Sequence, residues 1–231
     1  DYFRALHQSH GVTILEGVGL ERLTGEGHVT GAALSNGQTL EIDFAIVGVG
    51  ILPGTGLAEA AGLTLNNGIE TNSQGQTSVP NIWAAGDCAS FPYQDGRIRL
   101  ESVPNAIDQA EVVAANMMGA GQDYTATPWF WSDQYSVKLQ IAGLNTGFTD
   151  VVVRDSGTAR SHWYYKSGAL LAVDAMNDPG PIWLPSGLLR LVNPQIPPLQ
   201  LIRRVTLRRY CKDENNCRQK SWTEIGQSGQ G

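Results

Sequence analysis

The uninterrupted apolar run from Phe44 to Gly50 is the feature that most constrains the fold of this chain. A strand that is apolar at every position is typical of a parallel sheet covered by helices, because both of its faces are buried. A second apolar run, Ile82–Ala85, has the same character and ends at Gly86-Asp87. We therefore predict an α/β fold in which two buried strands belong to a parallel sheet flanked by helices.

Shorter patterns fill in the rest of the first half. We predict strands at Val12–Glu16, Leu20–Leu23 and Val29–Leu34, of which the last two form hairpin arms. The turn signal Ser35-Asn36-Gly37 follows them. A short helix is expected from Gly56 to Ala61.

The strongest helix signal lies between Asn105 and Met118. Pro104 stands at its start and Gly119 follows its end, as is usual for helix termini. Apolar side chains recur at helical spacing, which predicts a buried stripe. Its members are Ala106, Ile107, Ala110, Val113, Ala114 and Met117.

The chain changes character after a Gly-, Ala- and Thr-rich linker at 119–127. Val137–Ile141 alternates between apolar and polar residues, and Val151–Val153 is a further strand signal. Ser161–Lys166 is expected to pair with Ala169–Ala175 across a tight turn. This pattern predicts an antiparallel domain with one solvated face. Beyond Pro179 no element is predicted.

Composition narrows the class of partner. The 231 residues carry a net charge of −6, with about +4 from Ile202 onward and about −10 before it. An acidic body disfavours nucleic-acid binding, which depends on basic side chains, and no apolar run is long enough to cross a bilayer. The three cysteines, Cys88, Cys211 and Cys217, are too few for a disulfide framework and favour a reducing compartment, which we take to be the cytoplasm.

The most informative segment for function is Thr77–Ala89. It has a turn, a predicted buried strand, and then Gly86 and Asp87 at the carboxyl end of that strand. In open parallel sheets ligands bind at this edge, where a carboxylate can accept hydrogen bonds from sugar-like hydroxyls. Taken alone, the dipeptide is equally compatible with a turn that ends the strand, with Asp87 as a cap.

The residues on either side of Gly86-Asp87 favour the ligand-binding interpretation, because they resemble a known motif. The segment is similar to the second flavin-binding motif of two-dinucleotide-domain flavoproteins, T-x-x-P-x-I-(Y/F/W)-A-x-G-D. Two further blocks, Arg99–Ala110 and Pro128–Tyr135, resemble the bacterial ferredoxin reductases of oxygenase systems, which include rubredoxin reductases. The resemblance extends roughly from Tyr2 to Asn177. It implies FAD and NAD(P)H as cofactors and a ferredoxin or rubredoxin as partner.

Carried over by position, the resemblance implies that six of these residues lie at the cofactor: Gly86, Asp87, Glu101, Ser102, Val103 and Trp131. Asp87 contacts the ribityl and pyrophosphate part of FAD, and Gly86 permits the close approach. Val103, after Glu101-Ser102, meets the pyrimidine edge of the flavin through its backbone at a helix amino terminus, where unpaired N–H groups favour an anion. Trp131 lies against the isoalloxazine or nicotinamide.

Simpler interpretations of these residues remain open at this point. Val103 and Pro104 are also compatible with a plain helix entry. Trp129 and Trp131 share a face of a strand, so one of them can belong to the core.

The run Val47–Gly54 resembles the glycine stretch through which the family returns from the nicotinamide domain to the flavin domain. The resemblance implies a nicotinamide contact by Gly50, although Gly54 stands where the family has Asn. A buried strand punctuated by glycine also needs no ligand.

Both G-x-G-x-x-G phosphate loops of a complete enzyme are absent from this sequence, and the family places them upstream. The chain also lacks an initiator Met, so we expect it to be the carboxyl-terminal part of a reductase. The expected division is the end of the nicotinamide domain (1–50), the returning half of the FAD domain (51–123), an interface domain (124–180) and an atypical tail (181–231).

The predicted parent function is electron transfer from NAD(P)H through FAD to a ferredoxin or rubredoxin, with no catalytic side chain and no metal. The alternative is a non-catalytic remnant or interaction module that binds neither dinucleotide. Within the enzyme class, a small-molecule or nitrite-reducing system is the second choice of acceptor. The nicotinamide preference and the oligomeric state stay open.

Overall fold

A computed structural model describes residues 1–178 and 208–209 of the chain. The chain divides into two compact units, residues 1–52 and residues 53–231. The expectations for the tail, including Cys211 and Cys217, lie outside the described residues. Within the described part, no helix is long and apolar enough to cross a bilayer.

The first unit is a helix followed by a small antiparallel sheet. Helix α1 is Tyr2–Ser9, and the strands are β1 (Leu20–Thr24), β2 (Gly31–Leu34) and β3 (Thr39–Glu41), in the order β1-β2-β3. The central strand β2 is buried along its whole length, whereas both outer strands are exposed. The predicted hairpins and the turn ending at Gly37, which has φ +83°, are confirmed.

Two predicted strands of this unit are wrong. Residues 12–16 and 44–50 form neither helix nor strand. The apolar run is exposed rather than buried, with Ile46 and Val49 almost fully accessible at 88% and 87%. A parallel strand needs neighbours for its N–H and C=O groups, and no described strand pairs with this run. Without such partners, the run keeps its backbone hydrated.

The second unit begins with short elements that frame a long helix. They are α2 (Gly56–Ala60), β4 (Ile69–Glu70), β5 (Ala89–Tyr93), β6 (Gly96–Ile98) and α3 (Val103–Met117). Strand β4 pairs with β5 in parallel, and β6 pairs with β5 antiparallel. The predicted helices at α2 and α3 are confirmed.

The strand predicted at Ile82–Ala85 is wrong, because only Trp83 makes an isolated bridge, to Gln76. The chain instead passes through a short 3₁₀ turn at Gly86–Cys88 directly into β5. Gly86 takes φ +77°, a conformation that favours glycine. The parallel strand of this region is therefore β5, which begins at Ala89, and not the apolar run that precedes Gly86.

The buried face of α3 also differs from the predicted stripe. It consists mainly of amide side chains, since the buried residues are Asn105, Gln109, Val113 and Asn116. Of the predicted apolar residues, Ile107 and Met117 are more than half exposed. The amide side chains can be buried because they form hydrogen bonds to neighbouring loops, and a buried amide with hydrogen-bond partners destabilises the fold only slightly.

The remaining described residues of the second unit include a six-stranded antiparallel sheet. Its order is β12-β9-β10-β11-β8-β7, from the strands β7 (Trp129–Gln134), β8 (Val137–Gly143), β9 (Asp150–Asp155), β10 (Arg160–Lys166), β11 (Ala169–Met176) and β12 (Arg208–Arg209). The predicted antiparallel domain and the pairing of β10 with β11 are confirmed. The turn between them places Ser167 at φ +49° and Gly168 at φ +80°, as a two-residue hairpin requires.

Candidate flavin-binding site

The turn at Gly86–Cys88 is anchored by helix α3. The Gly86 amide donates to Gln109 Oε1 at 2.8 Å, and Gln109 is 1% exposed. A Cβ at Gly86 would lie 3.4 Å from the Cβ of Ala106, so the turn lies directly against the first turns of the helix. This contact brings the first predicted flavin motif to the second block.

Asp87 is exposed, and its carboxylate accepts no hydrogen bond from the described residues. Only its backbone carbonyl is engaged, by Arg99 Nη1 at 3.0 Å. An exposed carboxylate next to a turn with a glycine is well suited to accept hydrogen bonds from ligand hydroxyls. The surroundings of Asp87 therefore fit a polyhydroxylated chain such as ribityl.

Arg99 connects the turn to the next predicted site residues. Its Nη1 forms an ion pair with Glu101 Oε1 at 2.6 Å, in addition to its bond to the Asp87 carbonyl. The Arg99 side chain is only 9% exposed, whereas that of Glu101 is 40% exposed. Its Nε is buried and has no hydrogen-bond partner among the described residues.

Helix α3 begins at Val103, directly after Ser102. Val103 is 60% exposed, and no side chain caps the helix start. The first N–H groups of a helix have no partner within it and carry a partial positive charge. Pro104 has no N–H of its own, so Val103 presents the first donor, in a position that fits an acceptor atom of a ligand.

Ser102 ties this helix start to the antiparallel sheet. Its hydroxyl donates to the carbonyl of Trp129 at 2.7 Å, and Ser102 is 7% exposed. On β7 the rings of Trp129 and Trp131 are 5.2 Å apart and tilted by 32°, as expected for residues on one face of a strand. Trp131 is half exposed, and the buried indole N–H of Trp129 has no partner among the described residues.

Helix α3 is also held by hydrogen bonds to the predicted linker at residues 119–127. Tyr124 donates to Asn105 Oδ1 at 2.8 Å, and Asn116 donates to the carbonyls of Gln74 and Gln122. Burial, with a smaller contribution from Asp108, raises the pKa of Tyr124 to about 12, so its hydroxyl stays a donor at neutral pH. Residues 119–127 form no helix or strand, as predicted, but they are held against α3.

Six of the seven predicted site residues lie in this part of the second unit, and hydrogen bonds link their segments. Gly50 is the exception, because it belongs to the first unit, where it is exposed and has φ +92°. Sequence reasoning did not assign Arg99 or Gln109, although both stand inside the quoted block. The available signals were a charged residue two positions before Glu101 and an amide four positions after Asn105.

Cys88 has a free, half-buried thiol that contacts the carbonyl of Ala85 at 3.5 Å. The remaining described part of the chain shows no cluster of three or more His, Cys, Asp or Glu side chains that could hold a metal.

Comparison with known proteins shows which families this chain resembles. Residues 1–110 match the family described as pyridine nucleotide-disulphide oxidoreductase, and residues 129–192 match the family described as reductase C-terminal. These two matches confirm both the resemblance and the predicted fold class.

The individual relatives are ferredoxin reductases. The chain is 42% identical over 185 residues to putidaredoxin reductase of Pseudomonas putida, covering 77% of this chain and 44% of that protein. It is 39% identical over 184 residues to rhodocoxin reductase of Rhodococcus erythropolis, covering 77% and 43%. The chain thus spans less than half the length of these relatives.

Solved structures give the same picture. A ferredoxin reductase from Rhodopseudomonas palustris is 44% identical, with a TM-score of 0.73 over 76% of this chain and 45% of its own. A covalent complex of putidaredoxin reductase with putidaredoxin is 40% identical, also with a TM-score of 0.73, over 77% of this chain.

Proposed function

We propose that this chain forms part of an FAD-dependent NAD(P)H:ferredoxin or rubredoxin reductase that serves an oxygenase system. One observation carries the proposal. Three separate sequence blocks that resemble flavin-contacting segments are joined by the Gly86–Gln109, Asp87–Arg99 and Ser102–Trp129 hydrogen bonds. Their convergence in one unit supports a built site rather than three unrelated turns.

Each part of the site has a distinct task in this proposal. Asp87 accepts hydrogen bonds from the ribityl chain, and the conformation of Gly86 allows the ligand to approach the backbone. The amino terminus of α3 at Val103 offers an N–H group and a positive partial charge to the flavin edge. Trp131 covers one side of the ring system. Gly50, which belongs to the first unit, is proposed separately to contact the nicotinamide.

FAD, when bound, supplies the chemistry, since it takes a hydride from NAD(P)H and releases electrons one at a time. The protein needs no acid, base or nucleophile for this reaction. Its own residues hold the flavin, exclude water from one face and present the edge from which electrons leave. The proposed partner is an acidic iron–sulfur or iron protein of the ferredoxin or rubredoxin type.

We further propose that the parent protein works in the cytoplasm. Three cysteines among 231 residues provide no disulfide framework, which favours a reducing compartment. We also retain the four-part division at residues 1–50, 51–123, 124–180 and 181–231 as a proposal about its domains.

Flavin retention tests the proposal. The purified chain is incubated with excess FAD, desalted and examined by visible absorption, and we expect it to keep the flavin bands. Asp87→Ala should lower the affinity for FAD by about tenfold or more, because it removes a charge-assisted acceptor. Asp95→Ala is the matched control, since Asp95 is an exposed carboxylate in the turn between β5 and β6.

A colourless wild-type preparation would favour the alternative, a module that binds neither dinucleotide. If both Asp variants retained flavin as well as wild type, the chain would bind flavin but Asp87 would not contribute to the binding.

A further inference from the structure

Arg99 stands out among the described residues because it is a buried cation at the centre of the candidate site without an assigned task. It follows β6 and precedes Glu101, and its side chain is only 9% exposed. Burying a guanidinium is costly unless it is paired and hydrogen-bonded.

The contacts of Arg99 lie on both sides of the site. One nitrogen, Nη1, donates to the Asp87 carbonyl at 3.0 Å and pairs with Glu101 Oε1 at 2.6 Å. Asp87 belongs to the turn at Gly86–Cys88, whereas Glu101 leads into the start of α3. A single atom thereby sets the separation between the two segments that are proposed to meet the ribityl chain and the flavin edge.

The path of the Arg99 stem is fixed by a neighbouring loop. A Cβ placed on Gly68, which has φ +131°, would lie 3.0 Å from Arg99 Cδ and 2.6 Å from the carbonyl of Cys88. Any larger residue at position 68 would therefore push against both the stem and the turn. The stem is confined between the Gly68 loop and the Gly86–Cys88 turn, which leaves the guanidinium little freedom.

We propose that Arg99 is a positioning residue of the flavin site. It holds the Asp87 turn and the Glu101–Val103 segment at one fixed separation, so that the Asp87 carboxylate and the Val103 N–H address the same ligand. The buried Nε, which has no partner among the described residues, marks Arg99 as a group under-satisfied by the protein itself. This inference rests on the proposed function for the identity of the ligand.

Arg97 offers a matched control on β6, the strand that Arg99 follows. Its guanidinium donates to the carbonyl of Ser90 at 2.7 Å and to that of Thr71, and it pairs with Glu70. None of these partners belongs to the candidate site. Loss of the Arg97 guanidinium therefore removes a comparable set of backbone contacts without touching the Asp87 turn or the start of α3.

The test compares Arg99→Met, Arg99→Lys and Arg97→Met in the full chain. The first readout needs no flavin and is amide hydrogen exchange. We expect Arg99→Met to accelerate exchange at residues 86–88 by about tenfold or more. Arg97→Met should instead affect residues 69–71 and 89–91, and Arg99→Lys should restore part of the protection because it keeps the positive charge.

The second readout is the FAD dissociation constant and the visible circular dichroism of bound flavin. Arg99→Met should raise the constant by about tenfold and alter the dichroism, Arg99→Lys should fall between it and wild type, and Arg97→Met should change neither. A merely structural role would move both Met variants alike.

Unchanged exchange at residues 86–88 in Arg99→Met overturns the inference, as does an equal loss of FAD affinity in both Met variants. A wild-type chain that binds no FAD overturns the proposed function instead. In that case the exchange experiment still decides whether Arg99 couples the two segments.

Discussion

The apolar segment 44–52 and the antiparallel sheet of β7–β11 start from equally strong strand signals, yet only the sheet forms. In the sheet, each strand finds a partner a few residues away along the chain, so hydrogen bonds close over short loops. Segment 44–52 pairs with no described strand, and its apolar side chains are exposed, including Leu52 at 94%. Strand propensity is thus realised only where a pairing edge is supplied.

The core beneath the sheet shows what this pairing provides. Val173 on β11 is fully buried opposite Trp163 on β10, and Val152, Tyr165 and Leu170 pack around them. These strands pair with their neighbours through backbone hydrogen bonds, so their side chains are buried at little polar cost. Three sets of variants test whether strand pairing accounts for the difference between the two regions.

The largest effect is expected from a charge in the core of the sheet. Val173→Asp places a carboxylate at a site with 0% exposure and no cationic partner in the packed cluster. We expect a loss of about 4 kcal/mol or more in the free energy of unfolding, because an unpaired buried charge is among the most destabilising changes. Urea unfolding followed by tryptophan fluorescence measures it, since Trp163 lies in the same cluster.

Ile46→Asp is the matched substitution in the exposed segment. It should change the stability of the first unit by no more than about 0.5 kcal/mol, as surface substitutions do. Amide exchange in β2 reports on this unit, which contains no tryptophan. A loss at Ile46 as large as that at Val173 would show that the apolar run is buried in solution and that the two regions do not differ in burial.

An intermediate effect is expected at a glycine within the sheet. Gly143 on β8 has φ +81°, and a Cβ there would lie 2.2 Å from the carbonyl oxygen of Leu171 on the neighbouring strand. Gly143→Ala should cost more than about 2 kcal/mol, because the backbone of β11 has to move in addition to the strain of the left-handed conformation.

Gly168→Ala separates those two causes. Gly168 has the same left-handed conformation, φ +80°, but a Cβ there meets nothing within 4 Å. Its cost should be about 1–2 kcal/mol, the conformational contribution alone. Equal losses for the two alanine variants, measured by thermal unfolding, would show that the close approach of β8 to β11 contributes nothing.

The smallest effect is a pH dependence carried by His162 on β10. Burial and then the neighbouring Arg160 lower the pKa of His162 in the folded protein below its ordinary value of 6.5, against weaker opposite effects of Asp174 and Asp155. The folded state therefore binds this proton more weakly than the unfolded state. The stability linked to His162 is present above pH 6.5 and is lost as the pH falls through the folded-state pKa.

His162→Gln should accordingly flatten the decline in the urea midpoint between pH 7.5 and pH 5, relative to wild type. The quantity to compare is the difference between the two slopes, because other groups titrate in both proteins. A variant that keeps the entire wild-type slope would assign the decline to those other groups and not to the sheet.

Much of the fold was predictable because its signals are local. The helix at α3, the hairpin of β10 and β11, and the turn at Ser167-Gly168 follow from capping residues, alternation and turn chemistry within about 15 residues. The strand predicted at Ile82–Ala85 failed for a different reason. Its apolar composition reflects contacts with the rest of the fold, and the ladder begins only at Ala89.

The candidate site divides in the same way. The motif ending at Gly86-Asp87 and the block at Glu101–Val103 were recognisable as segments of the sequence. Their mutual placement was not, because it depends on the side chains of Gln109 and Arg99, which bridge residues 23 and 12 positions apart. Polar residues that form hydrogen bonds to distant backbone groups do not recur at a regular spacing, so no sequence pattern predicts them.

By itself the sequence determined the resemblance to ferredoxin reductases, the antiparallel domain and the residue types of the candidate flavin site, since each of these is written in contiguous residues. The tertiary structure alone decided which apolar runs are buried, which face of α3 turns inward and how the three flavin-like blocks meet. The physical reason is that burial and hydrogen-bond satisfaction depend on partners distant in the chain, and a strand or an amide side chain is stable only where such a partner is in place.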